Sequence, residues 1–595
     1  MASLTSLPQE IIDLILFLIA KEDYVSCVRV NKAWSALFTP YFWREVRVVD
    51  EVRNDHLVTV DTRKAIARNS QHIRTIETFD PSFVHFLGSV RPTIANLESL
   101  TIRLKNNPFT LVDNFVLYPD ISIPVAVLGR GEGAILHYPR CVDDVAQTLK
   151  NNPGLRFLSL DEGCFRHADE RDGFAELLPV LPTAHLERLE LSLVETSAPD
   201  PAVIDPDYER LDIDTAKELS KTQEQFLALK EISITGGSLQ NVRMDTRRLI
   251  FLYRCPNLEK IRLHRLDDAA MGALPSFLRF ACHKLTSLEW TKGLYDMEES
   301  IEALIQSTTL GWKELRLPDM AQFGSFAWRA LMEHAGTLEV LRLESAEQLE
   351  SNAVLDLLCS ARKLRRLEGI ADRQRKRFTV GLTVHAEDAF REQLNGTLGD
   401  RSWVLGPAME YFQIQIEGVP RPDVLYRQSG GEIDFRQPGL NPALRFDVQR
   451  WIYTQLNRMV NLQELVLGLA DLSSKTIGFV QGLDWSASPA ALEEALRPHI
   501  RMFNAYSLEF SLESGLGLLA GLKELRVLDV RLTAHYIGVA ELEWMHTNWP
   551  KLERIRGLES DRRWSANYEE GPAAKAAVDA WMAAHPRGIG SSFYS

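Results

Sequence analysis

The chain has 595 residues, of which 45% are apolar and 25% are charged. These values match ordinary globular proteins and exclude the disordered, collagen-like and disulfide-scaffold classes. The formal net charge of −14 argues against a nucleic acid or an anionic membrane as a partner of the whole surface, because both require a positive field. We therefore expect neither a nucleic-acid partner nor a membrane partner.

The six cysteines form no CxxC pair and no zinc-ligand cluster, which favours a reducing compartment. The first long apolar run, residues 14–20, is too short for a bilayer that requires about 20 residues. It also lacks the basic segment that precedes the apolar part of a signal peptide. We therefore expect a cytoplasmic or nuclear protein.

The first fifty residues predict three short helices, over 8–20, 23–30 and 32–38. Pro8 suits the first turn of a helix, and Thr39 with Pro40 is expected to end the third. The first helix is apolar on nearly all sides, its apolar residues being Ile11, Ile12, Leu14, Ile15, Leu16, Phe17, Leu18 and Ile19. A unit this small cannot bury so much apolar surface in its own core, so we expect the excess to bind a partner.

These fifty residues resemble the F-box, a three-helix module that binds the Skp adaptor of cullin-based ubiquitin ligases. The matching positions are Leu7, Pro8, Glu10, Ile11, residues 15–19, Asp23, Val28, Val30, Asn31, Lys32, Trp34, Leu37, Pro40 and Trp43. The resemblance implies that the adaptor, and through it a cullin, is bound by Leu7, Pro8, Ile11, Ile12, Ile15, Val28, Val30 and Trp34. From the residues alone, a helical cap over the first repeat of a solenoid is the alternative.

Beyond residue 70 the phrase Leu-x-x-Leu-x-Leu recurs, with Ile, Val, Phe or Trp allowed at the apolar positions. It begins at Ile73, Leu97, Leu155, Leu186, Leu229, Leu258, Leu285, Trp312, Leu338, Leu364, Leu462, Leu525 and Leu552. In the clearest run, from Leu258 to Leu364, successive phrases are 26 or 27 residues apart. The phrase and its period indicate leucine-rich repeats, whose leucines point into a core shared with neighbouring repeats.

The expected fold class is therefore α/β, a horseshoe solenoid with short parallel strands inside and helices outside. The predicted domains are the three-helix module over 1–50, the repeats over 51–560, and a cap with a tail over 561–595. Helical patterns between the strands occupy 273–281, 297–306 and 352–358. Pro572 is expected to open a capping helix that holds Val578 and Trp581.

The repeat period breaks near 106–150 and near 371–461, where we expect insertions. Met409, Phe412 and Ile414 mark one weak candidate repeat inside the second insertion. The passage over 508–558 resembles a group of fungal F-box proteins. With the module and the repeats, this resemblance extends over nearly the whole chain.

The chain contains no HExxH motif and no Gly-x-Ser-x-Gly motif, and its histidines are scattered. Cys255 and Cys282 both stand three residues before a repeat leucine, which predicts a packing role and not a catalytic one. We expect no enzyme, no metal and no cofactor. A catalytic site within residues 371–461 is one alternative to this expectation.

Charged residues lie between the inward-pointing leucines of successive strands and are expected on the opposite face of the sheet. The candidates for binding a substrate are Lys260, Arg262, His264, Glu289, Arg316, Arg342 and Arg366. Such a face suits an acidic or phosphorylated segment, and a merely solvated charged face is the alternative.

Basic residues over 362–366 and 373–377 suggest a nuclear import signal, an anion site or a basic loop.

The sequence thus predicts a non-catalytic substrate-recognition subunit of a Skp-cullin-F-box ubiquitin ligase. In this role the module binds the adaptor, and the repeats bind a protein substrate whose identity the sequence does not name. The competing interpretation is a leucine-rich-repeat scaffold or inhibitor that acts outside a ligase.

Overall fold

The computed structural model describes residues 8–20, 23–48, 60–89, 94, 96–104, 141–165, 176–193, 224–236, 249–263, 268–290, 298–317, 323–343, 349–369, 382–386, 388–390, 402–419, 444–467, 507–531, 533, 535–558 and 572–585. The chain divides into two compact units, Met1–Leu285 and Thr286–Ser595.

The first unit begins with three helices, α1 (Gln9–Leu18), α2 (Tyr24–Val30) and α3 (Lys32–Phe42). The side chain of Asn31 caps α3 by accepting a hydrogen bond from the backbone N–H of Trp34 at 2.9 Å. The prediction that Pro40 ends this helix at residue 38 was wrong, because Pro40 lies inside the last turn. The Thr39 hydroxyl donates to the Ser35 carbonyl at 2.6 Å. The Trp43 N–H donates to the Thr39 carbonyl and so closes the last turn.

Within the described residues of the first unit, seven parallel strands follow in chain order. They are β1 (Glu45–Val48), β2 (Thr75–Thr78), β3 (Ser99–Ile102), β4 (Phe157–Leu160), β5 (Arg188–Leu193), β6 (Glu231–Gly236) and β7 (Lys260–Leu263). The described α-helices between them include α4 (Val60–Arg68), α5 (Pro81–Ser89) and α6 (Cys141–Asn151), and α7 (Asp268–Ala281) follows β7. Short 3-10 helices cover Ser70–His72, Glu162–Phe165, Leu178–Val180 and Ile250–Arg254.

The part of the second unit that the structure describes contains eight parallel strands of one sheet. They are β8 (Ser287–Trp290), β9 (Glu314–Leu317), β10 (Val340–Leu343), β11 (Arg366–Glu368), β13 (Tyr411–Gln413), β15 (Glu464–Val466), β16 (Val527–Asp529) and β17 (Arg554–Arg556). The described helices of this unit include α8 (Glu298–Ile305), α9 (Ser325–Met332), α10 (Ser351–Leu358), α11 (Arg445–Leu456), α12 (Val539–Asn548) and α13 (Pro572–Ala584). A 3-10 helix covers Leu516–Gly521.

The repeat prediction is confirmed, because every predicted phrase yields a strand that starts two residues after its first apolar position. The inward leucines are stacked in register. In the first unit Leu100, Leu158 and Leu189 are direct partners on β3, β4 and β5, and none of them is exposed. Each strand therefore adds one layer to a continuous apolar core, and the protein is an α/β leucine-rich-repeat solenoid.

The weak candidate around Phe412 is also confirmed, since β13 pairs directly with β11. The sequence did not predict the strand β12 (Thr383–His385), which stays outside the main sheet. It pairs instead with β14 (Gln415–Glu417), directly after β13, in a separate two-stranded sheet. The insertion over 371–461 therefore contains strands that pair with each other outside the main sheet.

The helix predictions hold with small shifts in their ends. α7 begins at Asp268, earlier than expected, and continues through Pro275. The predicted capping helix is α13, which begins at Pro572 and buries Val578 and Trp581. Trp581 forms an edge-to-face contact with His546 of α12, with ring centroids 6.0 Å apart.

Candidate interaction surfaces

The three N-terminal helices share a small core of Ile12, Leu16 and Phe38. Trp34 stacks on Phe38 with ring centroids 5.3 Å apart, and the Tyr24 hydroxyl donates to the Leu16 carbonyl at 2.7 Å. These contacts join all three helices, since they connect α1, α2 and α3. Among the side chains of the module that the structure describes, Ile12, Leu16 and Phe38 thus form the buried core.

A second set of apolar residues in the module points to solvent. Leu14 is 56% exposed and Leu18 is 75% exposed, whereas Ile12 on the same helix is 5% exposed. We define the apolar module surface as the exposed residues Ile11, Leu14, Leu18, Val25 and Val30. The spacing of Ile11, Leu14 and Leu18 places them on one face of α1, so the helix has two apolar faces and only one of them is covered.

The predicted adaptor residues are distributed over both faces of the module. Pro8, Ile11 and Val30 are exposed, Ile15, Val28 and Trp34 are half-buried, and Ile12 lies in the core. Leu7 lies outside the described residues. The prediction omitted Leu14, Leu18 and Val25. For Leu14 and Leu18 the three- and four-residue spacing from Ile11 was the available signal.

The face of each sheet opposite the leucines is called the strand face here. In the first unit it carries Lys260 and Arg262 on β7. Lys260 pairs with Glu231 at 3.8 Å, and Glu231 also lies 3.5 Å from Arg188, so the charges in this part compensate each other. Arg262 is exposed. His264 lies outside the described residues.

In the second unit Glu289, Arg316, Arg342 and Glu368 are direct register partners on β8, β9, β10 and β11. Glu368 lies 3.4 Å from Arg342 and also forms an ion pair with Arg366. The Arg366 guanidinium lies over the ring of Tyr411, 4.2 Å from its centroid. Two of the predicted arginines are therefore engaged by one carboxylate.

Arg316 differs from these arginines because it forms no ion pair or hydrogen bond within the described ranges. Its Nε atom is buried without a hydrogen-bond partner. Its register partners are the like-charged Arg342 on β10 and the acidic Glu289 on β8. Arg316 is therefore a cation of the strand face that is available to an anionic ligand.

Tyr411 extends the strand face next to Arg366. Burial raises the pKa of its phenol, with Glu368 the next cause, so the hydroxyl stays protonated and donates to the Gln413 side chain at 3.2 Å. Sequence reasoning did not select Tyr411, because only a weak repeat phrase marks its strand. The residue adds an aromatic surface beside the arginines.

The strand face near β16 differs from the part around Arg316, because its acidic residue, Asp529, is completely buried. Asp529 lies 2.5 Å from Arg531 and 3.7 Å from Arg556, and its side chain has no exposed area. A buried carboxylate requires such cationic partners. These charges are engaged with one another, in contrast to Arg316.

The two repeat-start cysteines are buried as predicted. The Cys255 thiol donates to the Phe251 carbonyl at 3.5 Å. Burial raises the pKa of both thiols, that of Cys282 to about 12. Both therefore remain protonated and poorly nucleophilic, which fits a packing role.

Two further properties concern the described ranges as a whole. None of their helices combines the length and the apolar character that a membrane crossing requires. Across the same ranges, His, Cys, Asp and Glu side chains form no cluster of three or more that could hold a metal ion.

No family model and no curated protein matches the chain. Among solved structures, it is similar to a chain of the yeast Rad7 and Elc1 complex, with 14% identity, 81% of this chain and 98% of that chain covered, and a TM-score of 0.32. It is also similar to a leucine-rich-repeat protein of Leptospira interrogans, with 14% identity, coverage of 69% and 98%, and a TM-score of 0.24. Function therefore has to be inferred from this chain's own residues.

Proposed function

We propose that the protein is the substrate-recognition subunit of a Skp-cullin-F-box ubiquitin ligase. In this role the N-terminal module binds the Skp adaptor, and the strand face binds a protein substrate. A conjugating enzyme recruited elsewhere in the complex then reaches a lysine of that substrate. The contribution of the subunit is proximity, because holding both partners on one chain raises their effective concentration.

The apolar module surface is the observation that carries this proposal. Leu14 and Leu18 are exposed although the module already has its own core of Ile12, Leu16 and Phe38. Their exposure has a free-energy cost of roughly 1.5 to 3 kcal/mol for each leucine relative to burial, which a partner would recover. A clustered apolar surface on a small helical module is typical of a protein-binding site.

The strand face of the second unit supports the choice of substrate. Arg316 has no anionic partner within the described chain, and Arg366 with Tyr411 provides a cationic and aromatic surface nearby on the same sheet. Guanidinium groups bind carboxylates and phosphates through two parallel hydrogen bonds. We therefore assign this face to an acidic or phosphorylated protein segment.

The direct test is co-expression of the full chain with a tagged Skp adaptor, followed by a pull-down and size-exclusion chromatography. We expect a stoichiometric complex. Changing Leu14 and Leu18 together to lysine should abolish it, because charges cannot be buried against an apolar partner surface. The matched control changes Leu512 and Leu518 to lysine, since these exposed leucines lie among the repeats.

The control variant should bind the adaptor like the wild-type chain, and both variants should keep the wild-type thermal unfolding. Adaptor binding by the Leu14 and Leu18 variant would place the contact elsewhere. A folded wild-type chain that binds no adaptor would overturn the ligase proposal.

The competing function is a scaffold or inhibitor that binds its client through the repeats outside a ligase. The exposed charges of the strand face are equally compatible with it. Cullin content separates the two functions. A ligase subunit purified from its own cells should contain adaptor and cullin together, whereas a scaffold should contain its client alone.

A further inference from the structure

Helices α12 and α13 meet at a cluster of three rings. Trp581 of α13 is 8% exposed and lies against α12, with its ring centroid 6.0 Å from that of His546. His585, directly after the end of α13, stacks on Trp581 with ring centroids 4.1 Å apart. The centroids of the His585 and His546 rings are 5.6 Å apart. The cluster therefore brings together two imidazoles from different segments of the chain.

The imidazole of His585 is held in one orientation. Its Nδ1 lies 2.9 Å from the Trp581 carbonyl oxygen. Because a carbonyl oxygen only accepts hydrogen bonds, Nδ1 carries the proton, and Nε2 of the neutral ring presents a lone pair. Metal-ligating histidines are oriented in the same way, by a hydrogen bond from the other ring nitrogen to a carbonyl or a carboxylate. The stacked Trp581 ring fixes the plane of this imidazole.

His546 is the exposed member of the pair. Its ring forms no hydrogen bond or ion pair with the described residues, so the ring is able to turn between staggered side-chain conformations. A tetrahedral ion with two bonds of about 2.0 to 2.1 Å holds its ligand nitrogens roughly 3.3 Å apart. Ring nitrogens lie on the rims of the rings, so centroids 5.6 Å apart bring facing nitrogens close to that separation.

We propose that His546 and His585 bind one divalent transition-metal ion between α12 and α13, with water in the remaining coordination positions. Neutral imidazole nitrogens suit Zn²⁺, Ni²⁺ and Cu²⁺, whereas Mg²⁺ prefers oxygen ligands. The site has two protein ligands, fewer than the three or four of catalytic and structural zinc sites, so the ion binds reversibly. This site goes beyond the ligase function and does not depend on it.

The ion links the last helix of the repeat array to the helix before it. A terminal repeat has no neighbour on one side, and α13 is the helix that caps it. The ion binds the folded chain, in which the two imidazoles meet, more tightly than the unfolded chain, and so stabilises the docked cap. The availability of the metal therefore regulates how firmly the C-terminal end of the array is closed.

The test treats the purified full chain with a chelator, removes the chelator, and titrates Cu²⁺, Zn²⁺ or Mg²⁺ in a calorimeter. We expect one stoichiometric site that binds Cu²⁺ more tightly than Zn²⁺ and does not bind Mg²⁺. His546→Gln and His585→Gln should each weaken Cu²⁺ binding at least about tenfold, because each removes one of two ligands. The matched control combines His185→Gln with His283→Gln, at exposed positions of the first unit, and should keep the wild-type affinity.

A second measurement follows the cap itself. Hydrogen exchange of residues 572–585 should slow when Zn²⁺ is added to the wild-type chain but not when it is added to His546→Gln. Without metal the two chains should exchange alike, because this variant keeps the stacking of His585 on Trp581. Wild-type Cu²⁺ affinity in both site variants would show an adventitious ion elsewhere and overturn the proposal. Unchanged exchange in the metal-loaded wild-type chain would also overturn it.

Discussion

Arg316 and Arg342 lie directly opposite each other on β9 and β10, and Arg342 has an acidic partner in Glu368 at 3.4 Å while Arg316 has none in the described chain. Like charges at opposed strand positions repel, which costs about 0.2 to 1 kcal/mol. On its other side, the register partner of Arg316 is the acidic Glu289 on β8. The ion pair with Glu368 gives Arg342 a structural contact, and its absence at Arg316 makes Arg316 the candidate for binding a ligand.

The first prediction follows from that asymmetry. Arg316→Gln should leave the thermal unfolding temperature unchanged or raise it slightly, because it removes the repulsion. Arg342→Gln should lower it, because Glu368 loses a partner. Calorimetry of the full-length variants measures both, and a destabilised Arg316→Gln chain would show that Arg316 has a structural role.

The second prediction concerns the two apolar faces of α1. Ile12→Ala should destabilise the module by about 2 to 5 kcal/mol, because it leaves a cavity in a core of few residues. Leu18→Ala should change stability by less than about 0.5 kcal/mol, because that side chain is exposed. Hydrogen exchange of residues 8–42 in the full chain should accelerate only in the first variant. Equal exchange in both variants would contradict the assignment of the faces.

The third prediction concerns pH. His334 is buried with Nε2 3.0 Å from the Ile305 carbonyl, and burial lowers the pKa of its imidazole. The folded state therefore favours the neutral ring. The contribution of the neutral His334 ring to folding stability is fully present above the ordinary histidine pKa of about 6.5. It is lost as the pH falls below that value.

The variant His334→Gln tests this, because glutamine keeps an N–H donor but does not titrate. We expect its thermal unfolding temperature to fall less than that of the wild-type chain between pH 7 and pH 5, a window set by the histidine pKa of about 6.5. The control is His283→Gln, at an exposed position. An unchanged slope in the His334 variant would remove this residue from the pH response.

The fourth prediction compares two glycines near the C-terminus. Gly557 has φ +110°, and a Cβ there would lie 2.7 Å from the backbone N of Arg531. Gly557→Ala should therefore lower the free energy of unfolding by at least about 1 to 3 kcal/mol. Gly517 has no neighbour within 4 Å of its added Cβ, so Gly517→Ala should be tolerated. Chemical denaturation of the two variants decides the comparison. Similar midpoints would contradict the close approach at Gly557.

Sequence reasoning found the repeats accurately because a strand alternates its side chains between two faces. Leucines at fixed spacing therefore specify which residues enter the core and which form the strand face, even for the weak phrase around Phe412. Strand β12 escaped prediction for a physical reason. Its pairing with β14 depends on how the chain returns after a long insertion, and local periodicity contains no information about that return.

The sequence by itself determined the repeat architecture, the inward leucines, the charged positions of the strand face and the excess of apolar surface on α1. These properties follow from the spacing of residues along the chain. Only the tertiary structure decided that Ile12 is covered while Leu14 and Leu18 are exposed, and that Glu368 engages Arg342 and Arg366 but not Arg316. Packing and ion pairing depend on which side chains meet in space, and residues far apart in sequence decide that.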